Sequence, residues 1–199
     1  MNPCIIIVTG YLASGKSTFA LRLSKALNVP YLIKDTFKIA LCENASVISI
    51  DESSRFSIVT FDGMMYVTER FMETGHPIII EGNFVPAGIK KTDEAGTIKK
   101  LIKKYTCHPL TYKFVGDTRI LHKRYIERDK LPERGRVNAM LGDISHNDFD
   151  KLCRNLDAFT VGGETVEVDT TDFEKVDFKR HIEAAWKFLG SGNAMTDRS

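Results

Sequence analysis

The chain of 199 residues predicts a single α/β domain built around a parallel β-sheet. Short, mostly apolar segments of strand length alternate with longer segments whose apolar residues recur at helical intervals. A glycine-rich stretch, residues 10–17, lies between the first predicted strand and the first predicted helix. Because parallel strands need crossover connections, these two observations favour a three-layer sandwich with helices on both faces of the sheet.

The composition limits the possible functions. Hydrophobic residues make up 43% of the chain, enough for one sizeable core, and the formal net charge is only +2. This balance argues against a basic nucleic-acid-binding tail. The longest apolar runs have the length of strands, so we expect no membrane span. The N-terminus leads directly into the first strand without room for a signal peptide, so we expect a cytoplasmic protein. The cysteines are widely spaced, so we expect free thiols and no disulfides.

Residues 10–17 match the phosphate-binding pattern G-x-x-x-x-G-K-[ST], the P-loop. A β-branched run at residues 4–9 predicts a buried strand before it, and an amphipathic segment at residues 18–27 predicts a helix after it. The first glycine permits a sharp turn, and the second lets backbone N–H groups approach phosphate oxygens. The predicted nucleotide-binding residues of this loop are Gly10, Ala13, Ser14, Gly15, Lys16, Ser17 and Thr18.

Three side chains predict a site for ATP with Mg²⁺. Lys16 can bridge the β- and γ-phosphates, and we expect it to face solvent before a ligand binds. The hydroxyl of Ser17 can ligate Mg²⁺. Residues 77–81 read as a central buried strand that ends in Glu81. Because ligands collect at the carboxyl ends of parallel strands, Glu81 and Ser17 are expected to meet around one metal ion.

The segment between the first helix and this strand predicts the acceptor side of the site, a helical region over about residues 36–75. Its predicted elements are a strand at 29–33, a short helix at 37–42, a mobile or substrate-facing insertion at 43–53 and a long helix at 56–74 that Gly75 ends. Asp35 follows the strand and has two interpretations. It can cap the next helix, or its carboxylate can orient and deprotonate an acceptor hydroxyl.

The remaining segments continue the alternation. They predict a helix at 97–105, strands at 109–115 and 164–169, and a closing helix at 174–189 that Gly190 ends. The domain is therefore expected to span residues 1–190, with a flexible polar tail at 191–199.

The most basic stretch of the chain lies between the last two predicted strands. Arg124 and Arg128 are four residues apart and share one face of a predicted helix. We interpret residues 117–157 as a lid over the triphosphate, because phosphoryl transfer is catalysed largely by positioned positive charge. The alternative is an ordinary surface helix.

Together these features resemble the small P-loop kinases, most closely the chloramphenicol phosphotransferase, zeta-toxin and polynucleotide-kinase types. The resemblance rests on the P-loop, the acid after the second strand, the run Ile-Ile-Ile-Glu-Gly-Asn-Phe and the R-x-x-x-R pair. It implies the sheet order 2-3-1-4-5 and a catalytic or acceptor-anchoring role for Asp35. It also implies that Arg124 and Arg128 clamp phosphates, and that the loop with Thr170 and Thr171 wraps the adenine.

The sequence departs from the family in two places. No D-x-D follows the second strand, which argues against a shikimate-kinase interpretation, and the lid tip lacks the histidines that the family often has there. From the resemblance and the predicted site residues, we expect an ATP-dependent phosphotransferase that acts on the hydroxyl of a small polar molecule. We expect it to be a monomer or a homodimer.

Two alternatives are a nucleoside or polynucleotide 5′-hydroxyl kinase and a nucleotide switch without an acceptor. Residues 93–96 match the D-x-x-G of GTPases, but the guanine-reading N-K-x-D is absent. Nucleic acid is an unlikely partner because the overall charge is near neutral.

Overall fold

The computed structural model of the chain describes residues 4–45, 47, 49–86, 88, 93–129 and 144–194. The described strands are β1 Cys4–Gly10, β2 Tyr31–Ile33, β3 Ile78–Glu81, β4 His108–Val115 and β5 Glu164–Asp169. All of their pairings are parallel, and their order in the sheet is β2-β3-β1-β4-β5. The predicted fold class and strand order are therefore confirmed.

Helices connect the strands and cover both faces of the sheet. The described α-helices are α1 Lys16–Leu27, α2 Lys34–Asn44, α3 Ile50–Glu73, α4 Glu94–Lys104, α5 Thr118–Asp129, α6 His146–Arg154 and α7 Phe178–Ala194. A short 3₁₀ helix, Phe173–Lys175, lies between β5 and α7. The predicted lid corresponds to α5 and α6, and its central residues 130–143 lie outside the described residues.

The central strand β1 is buried on both faces. Ile5 and Ile7 pack with residues of α3 and α4, and Ile6 and Val8 pack with residues of α1 and α7. All four side chains are fully buried. This two-sided burial explains why β1 reads as a continuous apolar run instead of alternating with polar residues.

The registers bring the strand ends together at one edge. Val8 lies opposite Glu81 of β3, and Gly10 lies opposite Phe114 of β4. The P-loop therefore leaves the sheet between the ends of β3 and β4, where side chains from both neighbours can reach it.

The start of α2 differs from the prediction. The chain passes directly from β2 into the helix, so Ile33 holds the N-cap position and Asp35 lies in the first turn. The interpretation of Asp35 as a helix cap is wrong.

The long helix α3 begins within the stretch that was predicted to be an irregular insertion. The Ser49 hydroxyl caps it by accepting a hydrogen bond from the backbone N–H of Glu52 at 3.2 Å, an arrangement favoured by the spacing of a capping box. The predicted end of α3 is confirmed, because Gly75 follows the helix with a φ of +70°. Its N–H donates to the carbonyl of Met72 at 3.1 Å, as in a glycine-terminated helix.

The closing helix α7 is shifted towards the C-terminus. The 3₁₀ helix occupies the first residues of the predicted segment, and α7 continues through Gly190 to Ala194. The prediction that Gly190 ends the helix is wrong, as is the start of the flexible tail at residue 191. A glycine weakens a helix interior by only about 1 kcal/mol, which apolar packing elsewhere on the helix can offset. Residues 195–199 lie outside the described residues.

The position of Gly190 gives a direct test of the helix boundary. Gly190 is exposed, and a Cβ built on it meets no atom within 4 Å. We expect Gly190→Ala to raise the free energy of unfolding by about 0.5–1 kcal/mol, because alanine has the higher helix propensity. Urea denaturation measures the change. A loss of stability would instead indicate a left-handed helix terminus at this residue.

Candidate functional site

Both glycines of the P-loop lie against other parts of the chain. Gly10 has a φ of +119°, and a Cβ on it would lie 2.1 Å from the carbonyl oxygen of Phe114. Gly15 has a φ of +86°, and a Cβ on it would lie 2.1 Å from the ring of Phe173. The sequence predicts glycine here for backbone freedom, and the structure adds a second reason, the absence of space for any side chain.

Lys16 is buried instead of facing solvent. Its side chain is turned back so that Nζ donates a hydrogen bond to the carbonyl oxygen of Tyr11, and only 6% of the residue is exposed. The Ser14 hydroxyl donates to the same carbonyl at 2.7 Å. Burial lowers the pKa of Lys16, although the nearby carboxylates of Glu81 and Asp35 oppose that shift. The expectation of a solvent-facing lysine is therefore wrong.

Glu81 and Ser17 meet as predicted. The Ser17 hydroxyl donates a hydrogen bond to Oε2 of Glu81 at 2.9 Å. Burial raises the pKa of Glu81 to about 7, and the charge of Asp35 adds to this effect while that of Lys16 opposes it. A carboxyl with this pKa is ready to ionise when a cation arrives.

This pair fits a magnesium ion that is completed by other ligands. Mg²⁺ prefers oxygen ligands and usually keeps several waters beside one or two carboxylates and phosphate oxygens. Among the described residues, no group of three or more His, Cys, Asp or Glu side chains is placed to hold a metal. Ser17 and Glu81 could therefore contribute to a metal site only together with phosphate and water.

A cleft of about 420 Å³ joins the P-loop to the ends of β2 and β3. One side is formed by the P-loop and α5, and the other by α2, α3 and the residues after β3. The residues on the P-loop and α5 side are Leu12, Ala13, Ser14, Gly15, Lys16, Ser17, Thr18, Tyr125 and Arg128. The residues on the other side are Lys34, Asp35, Lys38, Ser57 and Asn83, with Glu81 between the two groups.

Asp35 lines the cleft together with the P-loop residues. It is exposed in the first turn of α2, and its charge affects the pKa of both Lys16 and Glu81. The structure thus brings the four predicted residues Lys16, Asp35, Glu81 and Arg128 to one cleft.

A buried ion pair lies beneath the acceptor side of the cleft. Lys34 and Glu94 form a salt bridge, and their side chains are only 6% and 3% exposed. The second oxygen of Glu94 accepts a hydrogen bond from the backbone N–H of Val85 at 3.1 Å. The lysine also lies over the rings of Phe61 and Phe84, at 5.4 and 5.9 Å from their centres. The pair joins the first turn of α2 to the first turn of α4, next to Asp35.

No local sequence pattern indicates this pair. Lys34 adjoins Asp35, and Glu94 lies within the D-x-x-G match. The match itself has a structural role, because Asp93 caps α4 by accepting a hydrogen bond from the N–H of Gly96 at 2.8 Å. It is therefore a helix N-terminus and not a phosphate-sensing loop.

The two predicted lid arginines have different surroundings. Arg124 donates hydrogen bonds to the carbonyl oxygens of Thr170 and Thr171, at 2.6 and 2.8 Å. Arg128 lines the cleft and stacks against the ring of Tyr125, 5.5 Å from its centre. Arg124 is thus placed to position the loop after β5, and Arg128 is the one of the two that lines the cleft.

The threonines of that loop are bonded within the protein. The Thr170 hydroxyl donates to the carbonyl of Val115 at 2.9 Å, and the Thr171 hydroxyl accepts from the backbone N–H of Asp117 at 2.8 Å. These bonds attach the loop to the end of β4. The predicted adenine contact would therefore involve the backbone or the shape of this loop.

A second, shallower groove of about 760 Å³ lies between the outer face of β4 and β5 and the helices α5 and α6. It is lined by more acidic than basic side chains, which disfavours phosphate binding. The phenol of Tyr11 lines this groove and donates a hydrogen bond to Asp157 at 2.9 Å. The groove also includes Thr171, which was predicted to lie near the adenine, whereas the P-loop residues Ala13 to Thr18 line only the smaller cleft.

Comparison with known proteins agrees with this geometry. A family model described as an AAA domain matches residues 6–87, which include the P-loop, β3 and the helices α1, α2 and α3. The sequence matches none of the curated proteins with which it was compared. Among the described helices, none is long and apolar enough to cross a membrane.

Several solved structures have a similar fold. A suspected kinase from Chloroflexus aurantiacus is 23% identical with a TM-score of 0.79, and the alignment covers 96% of this chain and 98% of that one. A shikimate kinase from Bacteroides thetaiotaomicron is 16% identical with a TM-score of 0.57, covering 94% and 98%. A gluconokinase from Sinorhizobium meliloti is 13% identical with a TM-score of 0.54, covering 100% and 99%.

The P-loop at the end of β1, the strand order and these similarities define the class of protein. The chain has the fold of the P-loop NTPases. More particularly, it has the fold of the small P-loop kinases, as its sequence resemblance implied.

The raised pKa of Glu81 predicts a pH-dependent stability in the absence of ligands. The folded protein keeps a proton on this carboxyl between the ordinary pKa of 4.5 and about 7, whereas the unfolded chain loses it. The favourable contribution is complete below 4.5 and is lost as the pH rises through 7. Glu81→Gln should therefore gain stability relative to wild type between pH 5 and pH 8, by up to about 3 kcal/mol.

Urea denaturation of both proteins at pH 5 and pH 8 measures this change. Glutamine keeps an oxygen acceptor for the Ser17 hydroxyl, so the variant isolates the charge. Glu167→Gln removes an exposed carboxylate on β5 and is the matched control. A stability difference between Glu81→Gln and wild type that is independent of pH would contradict the raised pKa.

Proposed function

We propose that the protein is an ATP-dependent phosphotransferase that moves the γ-phosphate of Mg²⁺-bound ATP to a hydroxyl of a small molecule. The observation that carries this proposal is the shared cleft, in which the P-loop faces a carboxylate on α2. A nucleotide-binding protein without an acceptor needs only the P-loop and not the carboxylate on α2. A kinase needs both, because its two substrates must meet in line.

The P-loop side supplies binding and charge. The backbone N–H groups at the start of α1 and the positive end of the helix dipole favour phosphate oxygens. Lys16 would exchange its hydrogen bond with the Tyr11 carbonyl for one with the phosphates, and Arg128 would contact the group in transfer. Mg²⁺ held near Ser17 and Glu81 would neutralise charge that develops on the phosphate oxygens.

The acceptor side supplies a proton acceptor. Asp35 would orient the acceptor hydroxyl and take its proton as the hydroxyl oxygen forms a bond to the γ-phosphorus. The bond between the γ-phosphorus and the bridging oxygen breaks in the same step, and ADP leaves with that oxygen. Glu81 is less suited to this role, because it is buried and its carboxylate accepts the hydrogen bond of Ser17.

The switch alternative loses its sequence support, because the D-x-x-G match forms the N-terminus of α4. A nucleoside or polynucleotide acceptor would be another hydroxyl substrate of the same cleft. The cytoplasmic location and the monomeric or homodimeric state stay predictions.

Asp35→Asn tests the kinase proposal. Asparagine keeps the size and polarity of the side chain but accepts no proton at neutral pH. Phosphate transfer from ATP to the best acceptor in a panel of hydroxylated metabolites, antibiotics and nucleosides should fall about a hundredfold or more. Nucleotide affinity by calorimetry and the melting temperature should stay at their wild-type values, because Asp35 does not cap α2.

Lys16→Met is the matched loss-of-function control on the nucleotide side. It should abolish transfer to every acceptor, because it removes the ammonium group that would contact the phosphates. Unchanged transfer by Asp35→Asn would remove Asp35 from the mechanism. Tight ATP binding with no transfer by wild type to any acceptor would contradict the kinase proposal as a whole.

Replacement of Arg124 and replacement of Arg128 by alanine should cause different defects. Arg128→Ala should lower kcat about a hundredfold with little effect on the KM for ATP, because it removes charge from the transferring phosphate. Arg124→Ala should raise the KM for ATP and lower the free energy of unfolding by about 1–3 kcal/mol, because it leaves two loop carbonyls without their charged donor.

Steady-state kinetics and urea denaturation of both variants measure this contrast. Arg119→Ala, on the exposed side of α5, controls for the loss of a positive charge from that helix. Identical kinetic defects in Arg124→Ala and Arg128→Ala would show that both side chains contact the phosphates.

A further inference from the structure

One stripe of exposed side chains on α3 combines apolar and charged residues. Between residues 51 and 66, six exposed positions fall within about 100° around the helix axis, because an α-helix has about 3.6 residues per turn. They are Asp51, Arg55, Ile58, Val59, Asp62 and Tyr66, which we call the outer stripe of α3. Its apolar members Ile58, Val59 and Tyr66 are 40%, 55% and 62% exposed. Single exposed apolar residues are ordinary on protein surfaces, but three on one stripe favour contact with another molecule.

Two charges of the outer stripe have no partner in the described part of the chain. Arg55 and Asp62 form no ion pair and no side-chain hydrogen bond there. Further along the same helix, by contrast, Arg70 donates a hydrogen bond to Glu73 at 2.8 Å. Arg55 and Asp62 lie about 10 Å apart along the helix axis. The outer stripe therefore presents one positive and one negative charge at a fixed spacing.

A second copy of the outer stripe matches the first when the two helices run antiparallel. If a twofold axis passes between Ile58 and Val59, Ile58 of one subunit lies opposite Val59 of the partner subunit. In the same register Arg55 lies opposite Asp62 of the partner subunit, because both are equally distant from the axis. Twofold symmetry forms every contact twice, so the register gives an apolar centre with an ion pair on each side.

The ends of the outer stripe fit the same register. Asp51 and the partner subunit's Tyr66 lie opposite each other, so the phenol can donate a hydrogen bond to the carboxylate. Other registers fit less well, since a twofold axis at Asp62 would set two carboxylates against each other, and one at Arg55 two guanidinium groups. A match between two residues of one stripe is useful only to a partner that carries the same stripe, which favours a second copy of this chain.

We propose that the outer stripe of α3 is the interface of a homodimer in which two α3 helices pack antiparallel about a twofold axis. The inference does not depend on the proposed kinase function. A shallow crossing angle of about 20° keeps side chains in contact over several turns. The apolar residues supply the burial that stabilises the pair, and the two ion pairs select the register by making other arrangements repulsive.

The size of this interface indicates a reversible dimer. Stable complexes usually bury about 800 Å² on each partner. A contact of about six side chains on one helix is smaller, so we expect a dissociation constant in the micromolar range. Reversing a charge in such a contact costs more than removing it, because it replaces attraction by repulsion in both ion pairs.

Charge reversal at Arg55 and Asp62 tests the register. Arg55→Glu sets a carboxylate against the partner subunit's Asp62, and Asp62→Lys sets an ammonium group against the partner subunit's Arg55. The dissociation constant of each variant should therefore rise by about tenfold or more. When the two variants are mixed in equal amounts, the introduced charges face each other and the native pair forms on the other side of the axis. The mixture should therefore dimerise within about threefold of wild type.

Sedimentation velocity over a concentration series measures the dissociation constants of wild type, both variants and the mixture. Lys179→Glu and Glu183→Lys are the matched controls, because each reverses one exposed charge on α7. The helix α3 packs against one face of the sheet and α7 against the other, so the controls should dimerise like wild type. All samples are compared at one low ionic strength, since salt screens exposed charges.

Each outcome bears on the interface alone. Wild type that stays monomeric throughout the series overturns the inference and leaves the outer stripe to a different partner. A variant that dimerises as tightly as wild type, or an equal loss in the controls, overturns the proposed interface. Two variants that stay monomeric when mixed would show that Arg55 and Asp62 do not face each other, and overturn it as well. Phosphate transfer is not measured in this experiment, so the kinase function is tested separately.

Discussion

The close approach of β1 and β4 at Gly10 is the constraint on which the site depends. The carbonyl of Phe114 accepts a hydrogen bond from the backbone N–H of Tyr11 at 2.8 Å and occupies the space that a Cβ of Gly10 would need. This contact sets the direction in which the loop leaves the sheet. Because α1 follows directly after Gly15, the same contact sets the position of the backbone N–H groups at the helix start. The side chains at the ends of neighbouring strands can act together with these N–H groups only because the contact fixes the backbone in one position.

Buried charge is the second organising feature. Lys16, Glu81, Lys34 and Glu94 are all almost completely buried, and each has a polar partner within the protein. Moving ions out of water costs free energy that pairing offsets only in part. Burial also preorganises these groups, because charges that are already desolvated need little rearrangement when a ligand binds. The Lys34–Glu94 pair holds the first turn of α2, which carries Asp35, against the first turn of α4.

Much of this organisation could be predicted from local sequence signals. The P-loop pattern, the apolar run of β1 and the acid at the end of β3 depend on neighbours in sequence, and the strand order followed from the family resemblance. The start of α2 was misjudged because aspartate is a favoured cap, and no local signal shows that the chain passes directly from β2 into a helix. Lys34 and Glu94 are 60 residues apart, so their pairing exists only in three dimensions.

The folded-back lysine of the P-loop has a consequence for affinity. The Tyr11 carbonyl is an internal competitor for the ammonium group of Lys16, which a phosphate ligand of the P-loop would have to displace. Binding is then an exchange of one acceptor for another, and the observed dissociation constant reports the difference between them. Because the lysine is already removed from water, the exchange releases few ordered solvent molecules from its ammonium group. The enthalpy of the lysine–phosphate contact should therefore make up more of the binding free energy than it would for a lysine that starts in water.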